Sequence, residues 1–441
     1  MSDTSGSSPW RNLFRHEWLS PMQWRRRLLF WSGAVIVAVV AILFARLSTY
    51  AYALFVRMTA GRSWLPLLLT PAVFALLAWL TSGALRAARG SGIPQAIAAL
   101  QVENDAFRQR LLSLKVALGK MALTLAALLA GASVGREGPT VHIGAGLMYS
   151  LGRRFGFADP AAAGRFVLAG AAAGLAAAFN TPLAGVVFAI EEMAGAFEHR
   201  MSGIILTAVI IAGIVSLGLL GNYAYFGTVA TALPLGQSWA AVLLCGVLCG
   251  LAGGLFARLI LLEGNRVLAR IAAIRARWPI AFAAACGLVL ALVGIASAGS
   301  VYGTGYDQAR AILQQAAAPG AGFGGYKFLA NIVSYWAGIP GGIFSPALAV
   351  GAGLGHNIAH LLPGSSPAAV VLLGMAAYLA GVTQAPLTSA IISMELTANQ
   401  AMIIPILAVC LLARASSALF CHTPVYRAFA QRLVEQANAD S

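Results

Sequence analysis

The sequence predicts an all-α polytopic membrane protein, a bundle of broken and tilted helices built as two similar halves. Three observations carry that prediction. Of 441 residues, 59% are hydrophobic and only 10% charged, with a mean hydropathy of +0.80, where a soluble domain carries about 25% charged residues. Ten apolar runs follow one another along the chain, many of them cut by Gly and Pro. A string in the first half also recurs in the second. Too little polar surface remains for a soluble enzyme, a secreted disulfide scaffold or a disordered regulator.

In chain order the apolar runs cover about 28–56, 65–85, 120–131, 166–190, 204–220, 240–262, 280–296, 328–362, 368–392 and 402–420. A simple spanning helix needs about 20 apolar residues, and several runs are too short or too long for that. Interrupted segments at membrane depth persist only where they are buried in protein or line a cavity. Segment 101–110 is polar and is expected to be an interhelical loop. The 48 glycines and steps such as Gly170-x-x-x-Gly174 point to close helix packing.

A charge of +15 suggests nucleic acid in a soluble protein, but these basic residues form no stripe with interleaved aromatics. They stand at the ends of apolar runs, as in Arg266, Arg270, Arg275 and Arg277. Membrane loops on the cytoplasmic side carry such an excess, and Arg11, Arg15, Arg25, Arg26 and Arg27 are expected to hold the N-terminus there. The first apolar run is too long for a signal-peptide core. Cys245, Cys249, Cys286, Cys410 and Cys421 read as packing residues; no disulfide, metal or cofactor is expected.

The repeat is the most informative feature. Residues 135–147 and 342–354 share the pattern G-x-x-x-P-x-x-x-x-G-A-G-L, with Pro139 and Pro346 207 residues apart. Downstream, Gly170 matches Gly374, Pro182-Leu183 matches Pro386-Leu387 and Glu191 matches Glu395, now 204 apart. Chance explains shared Gly and Ala easily, but not two prolines and a glutamate kept in register. Matched Gly/Pro breaks in two halves mark the central site of a transporter. A half-helix starting at such a break directs free N–H groups and partial positive charge inward, which suits an anion. G-R-E-G-P and G-I-F-S-P open two such helices, and Gly90-Ser91-Gly92-Ile93-Pro94-Gln95 offers a third break.

Ten of the 14 acids lie in or near polar segments; Glu137, Glu191, Glu192 and Glu395 remain in apolar context. Such groups are costly and default to functional candidates. Glu191 and Glu395 are repeat mates, so a shared structural role on backbone amides fits them better. Glu137 and Glu192 have Phe344 and Leu396 as mates, and an acid in one half only is harder to explain as scaffolding.

With these strings in place, the sequence resembles the chloride channel family, the CLC chloride channels and proton-coupled antiporters, from about residue 25 to Arg427. The resemblance rests on G-S-G-I-P-Q (90–95), G-R-E-G-P-T (135–140), F-N-T-P-L-A-G-V-V-F-A-I-E-E (179–192), G-G-I-F-S-P (341–346) and P-V-Y (424–426). It implies a homodimer in the inner (plasma) membrane, each subunit holding two inverted repeats (about 28–220 and 238–420) and one pore. It also implies a cytoplasmic N-terminal segment 1–24, a membrane domain 25–427 and a short cytoplasmic tail 428–441. Ser91 and Tyr426 would hydrogen-bond a central chloride together with the N–H groups of Ile343 and Phe344. The amides of Arg136, Glu137 and Gly138 would form an outer site. Glu137 resembles the gating glutamate, and Glu192 the inner proton-transfer glutamate of the antiporters. The implied activity is chloride–proton antiport, with a passive gated chloride channel as the alternative, and chloride, protons and lipid as partners. Gln95 stands where relatives often carry glutamate, so no carboxylate role passes to it, and His142 replaces another polar residue.

Blander readings exist for each residue. Ser91 suits a helix cap, Tyr426 an interfacial belt, and Arg136 a steering charge or a structural pair. Ser133 and His142 near Glu137 allow a reading from another class, an intramembrane serine hydrolase. Ser133 lies in no nucleophile-elbow string, and no residue orienting His142 is apparent.

Overall fold

The computed structural model describes residues 21–194 apart from 158, and 203–439 apart from 222, 234–235, 237–238 and 317–318. Arg11 and Arg15 of the N-terminal basic cluster lie outside the described residues. Among those described there is no strand, only helices and one isolated β-bridge.

The first half runs α1 (Pro21–Thr59), α2 (Leu65–Ser82), α3 (Ile93–Gln101), α4 (Asp105–Leu112), α5 (Leu114–Leu129), α6 (Glu137–Arg154), α7 (Pro160–Phe179), α8 (Pro182–Phe188) and α9 (Gly203–Leu220). The second half runs α10 (Ala240–Leu261), α11 (Arg266–Arg277), α12 (Pro279–Ala296), α13 (Tyr306–Leu313), α14 (Phe323–Trp336), α15 (Phe344–His360), α16 (Pro367–Thr383), α17 (Pro386–Thr397), α18 (Ile403–Ser417) and α19 (Val425–Ala439). Among the described residues, six helical stretches are long and apolar enough to cross a membrane. At 1.5 Å per residue α1 extends about 58 Å, well beyond a hydrocarbon core of about 30 Å. It must tilt or project.

The long apolar runs divide where the backbone demands it. Run 166–190 breaks between α7 and α8 at Asn180, and run 368–392 between α16 and α17 at Gln384; both residues are left-handed, with φ of 57° and 58°. Each is followed two residues later by a proline at the first position of the next helix, where a missing N–H costs nothing. Run 328–362 holds two helices, α14 and α15, parted by the segment containing left-handed Gly338.

Two expectations change. Segment 101–110, expected as a loop, becomes helical from Asp105: the Asn104 side chain accepts from Phe107 N at 3.1 Å, and α4 buries Phe107, Leu111 and Leu112. Its polar residues conceal an amphipathic turn. At the other end, α19 carries Tyr426 and continues to Ala439, across the boundary placed at residue 427.

The halves pack alike. α6 crosses α7 where a Cβ on Gly144 would strike Gly170 O, and α15 crosses α16 where a Cβ on Gly351 would lie 2.5 Å from Gly374 O. These are the small-residue approaches that let membrane helices touch.

Candidate anion-binding site and gate

The starts of α6 and α15 meet nose to nose. Gly135 N donates to Gly342 O and Gly342 N donates to Gly135 O, both at 2.7 Å. Reciprocal bonds between repeat mates define a local two-fold axis at the centre of the protein. The first internal bonds are Thr140 N to Arg136 O at 3.0 Å in α6 and Ala347 N to Ile343 O at 2.9 Å in α15. The amides ahead of them, at Glu137, Gly138, Phe344 and Ser345, therefore have no partner in their own helix. Both positive helix ends point into one buried region.

Glu137 stands in that region, fully buried. Its Oε1 accepts from Ser345 Oγ at 2.5 Å, while Oε2 is buried without a partner. The carboxylate of one half is thus held by the first turn of the other half's helix. Ser345 was not legible from sequence, because its repeat mate is Gly138, a residue without a side chain.

Ser91 is 1% exposed and caps no helix: left-handed Gly92, φ 104°, occupies the N-cap of α3. Its Oγ is buried with no partner, and a Cβ on Gly138 would strike it. Tyr426 is no belt residue; it is fully buried, with its ring stacked on Phe344 at 6.0 Å and 11°. Its hydroxyl lies beside Ser91 and has no partner either. Buried polar groups are normally satisfied. Two unspent hydroxyl donors near the open end of α15 form a cradle that suits a partly dehydrated monovalent anion.

Beyond α8 the helix widens to a π turn over Ala189–Ala194, a distortion common at functional sites. It carries two adjacent acids in different surroundings. The Glu191 carboxylate accepts from Leu387 N at 3.1 Å and Thr388 N at 2.6 Å, and its carbonyl accepts from Arg427 Nη2 at 3.1 Å. Glu192 is 3% exposed, and its Oε1 is buried without a partner.

The side chains of the remaining candidates make structural contacts. Arg136 is a pairing residue: Nη1 donates to Ala45 O at 2.6 Å and Thr49 Oγ1 at 2.9 Å, and Nη2 to Tyr225 OH at 3.1 Å. Gln95 Nε2 donates to Arg89 O at 2.7 Å and pins the loop bearing Ser91. His142 Nε2 meets Leu111 O at 2.9 Å, whereas Ser133 Oγ donates to Asn331 Oδ1 at 2.6 Å. No nucleophile–base pair forms between them, and the hydrolase reading has no geometry.

Sequence reasoning missed a second matched pair. The chain has three lysines, and Lys120 and Lys327 lie 207 apart, the period of the repeat. Both are fully buried. Lys120 Nζ donates to Gly90 O at 2.8 Å, and Lys327 Nζ to Val301 O at 2.8 Å and Gly303 O at 2.7 Å. Each ties down the loop that opens a broken helix, α3 or α13.

Cavities lie on either side. One of about 170 Å³ is lined by Arg136, Tyr223, Tyr225 and Tyr306; another of about 280 Å³ reaches Ser91, Gln95 and Tyr335. A third, about 860 Å³, is lined by Tyr52, Tyr302 and Asp307 and touches none of the groups above.

A family model described as voltage gated chloride channel matches residues 73–418. The H(+)/Cl(-) exchange transporter ClcA of Cronobacter sakazakii is 34% identical over 376 residues, covering 80% of this chain and 76% of that protein. ClcA of Klebsiella pneumoniae is 31% identical over 369 residues, covering 80% and 75%. Among solved structures, a slow cyanobacterial Cl-/H+ antiporter superposes with a TM-score of 0.78 at 24% identity, covering 94% of this chain and 99% of that one. A CLC-type fluoride/proton antiporter gives 0.76 at 23% identity, covering 90% and 96%.

Proposed function

The chain belongs to the voltage-gated chloride channel family, and we propose that it exchanges chloride for protons across a membrane, with Glu137 as gate and Glu192 as proton relay. The observation that carries this reading is the Glu137 carboxylate, buried between the opposed starts of α6 and α15 and held by Ser345 at 2.5 Å. An ionised carboxylate is itself an anion and competes with chloride for helix-end amides. Once protonated it loses that attraction and can swing aside. One residue then links proton uptake to anion passage.

Chloride would rest on the hydroxyls of Ser91 and Tyr426 and the amides of Ile343 and Phe344, and further out on the amides of Arg136, Glu137 and Gly138. Neutral donors soften dehydration without trapping the ion. Ser91 favours chloride over nitrate, and together with G-R-E-G-P disfavours fluoride. The proton leaves the chloride path through Glu192, a buried acid without an acidic repeat mate. A passive gated channel is the second reading, since a gating acid at Glu137 would serve a channel as well; Glu192 tips the balance to antiport.

The arginine-rich face bearing Arg275 and Arg432 is the cytoplasmic one by the positive-inside rule. The working particle is a homodimer with one pore per subunit in the plasma membrane. The exposed stripe Leu206, Ile210, Ile214 and Leu217 on α9, with its repeat mate α18, supplies the contact surface. Reconstituted into liposomes, the protein should drive protons uphill when given a chloride gradient. Chloride movement with no coupled proton sinks the antiport reading and leaves the channel.

A further inference from the structure

The 280 Å³ cavity on the Ser91 side has a wall that chloride transport does not explain. Arg89, on the loop before α3, and Arg275, in the basic helix α11, both line it. Their guanidinium groups converge on the backbone of Gly338. A Cβ built there would lie 2.7 Å from Arg89 Nε and Nη2 and 3.0 Å from Arg275 Nη2, so these nitrogens are at most 5.7 Å apart. Gly338 is left-handed, φ 72°, and its bare Cα leaves room for both.

Among the described residues neither guanidinium makes a hydrogen bond, neither has a carboxylate partner, and Arg275 Nε is buried unsatisfied. The nearby Glu263 is already taken by Arg432. Burial, and then the adjacent Arg89, push the Arg275 guanidinium down to about 10. Two cations this close repel each other, and among the described residues no carboxylate repays their desolvation. Arginine forks of this kind match oxyanions, because the parallel N–H groups of each fork can meet two oxygens. One chloride neutralises only half the charge.

We infer that this cavity binds a multivalent oxyanion of the phosphate class, bridged by Arg89 and Arg275. Its volume is about nine times the share of one liquid water, roughly 30 Å³, which is ample for pyrophosphate. The cavity also reaches Ser91, and a Cβ on Gly90 would lie 3.9 Å from Tyr335 OH on the cavity wall. A bound oxyanion therefore stands between the arginine-rich face and the chloride cradle. Occupancy blocks the pore from that face. The blocking half of the inference rests on the chloride path proposed above; the binding half does not.

The test has two independent readouts. Calorimetric titration of sodium pyrophosphate into the purified protein in non-ionic detergent should show one site per chain. Affinity should fall at least tenfold in Arg275→Ala and several-fold in Arg275→Lys, which keeps the charge and loses the fork. Chloride efflux from liposomes with pyrophosphate on both faces should be inhibited, and Arg275→Ala should shift the inhibition by the same factor, relative to its own uninhibited flux. No binding by the wild type overturns the site. Equal binding by wild type and Arg275→Ala, checked with Arg89→Ala, overturns the bridging assignment. Binding without inhibition overturns the block. A protein that binds pyrophosphate yet moves no protons contradicts antiport alone.

Discussion

Glu191 and Glu395 each hold the helix of the opposite half. Glu191 accepts from Leu387 N and Thr388 N at 3.1 and 2.6 Å, and Glu395 accepts from Leu183 N and Ala184 N at 3.1 and 2.6 Å. Each carboxylate satisfies two first-turn amides and faces a positive helix end. The two-fold relation between halves is thus fastened chemically at α8 and α17, as it is by Gly135 and Gly342 at the centre.

Removing either acid should loosen this clasp. Glu395→Ala leaves the Leu183 and Ala184 amides unpartnered, and bonds to a charged acceptor contribute about 1.5–3 kcal/mol each. A loss of roughly 3 kcal/mol is expected, and about the same for Glu191→Ala by symmetry. Thermal unfolding in detergent measures it. An unchanged midpoint in both variants contradicts the clasp.

How far the sequence reached can be seen in these residues. Glu191 and Glu395 were assigned to backbone amides because a repeat makes a shared role visible, and that assignment needs only spacing. Glu137 and Glu192 stood out as acids present in one half, and the structure finds both buried. Ser345 carried no signal, since serine is common and its repeat mate is Gly138; only the folded chain brings it against Glu137. The Lys120/Lys327 pair was legible in principle from the 207-residue period, but each lysine alone reads as the end of an apolar run. Arg89 and Arg275 were out of reach, because their convergence on Gly338 is set by the packing of α11 against the loops, not by any periodicity.

The lysine pair should separate stability from transport. Lys120→Met frees the carbonyls of Arg89 and Gly90 and loosens the loop bearing Ser91; Lys327→Met frees those of Val301 and Gly303, beside α13. Each should destabilise by about 2–4 kcal/mol. Chloride affinity, read by calorimetry, should weaken several-fold in Lys120→Met only. An equal loss in both variants would mean that neither lysine acts through Ser91.

Ser345→Ala tests how the gate is held. The hydroxyl donates to Glu137 Oε1 and holds that side chain inside the path. Without it, protons and chloride should displace the gate more easily. The ratio of chloride flux at neutral pH to flux at acid pH is expected to rise roughly 3- to 10-fold, the effect of about 1 kcal/mol. A fall in that ratio would reverse the assigned role.

The two unmatched glutamates should fail differently when neutralised. Glu137→Gln preserves shape and keeps a hydrogen-bonding group near Ser345, but it cannot ionise. It therefore neither competes as an anion for the amides of α6 and α15 nor carries a proton. Chloride should pass without its usual pH dependence, and proton movement should vanish. Glu192→Gln leaves the gate intact and removes only the acid on the π turn, so chloride should still pass with its pH dependence while proton movement is strongly impaired. Simultaneous chloride and pH-electrode recordings from liposomes distinguish the two phenotypes. The decisive comparison is pH dependence, since both variants lose protons and only the gate variant should lose chloride's response to acid. If Glu192→Gln moves protons at the wild-type ratio, the relay lies elsewhere and the role given to this buried acid is wrong.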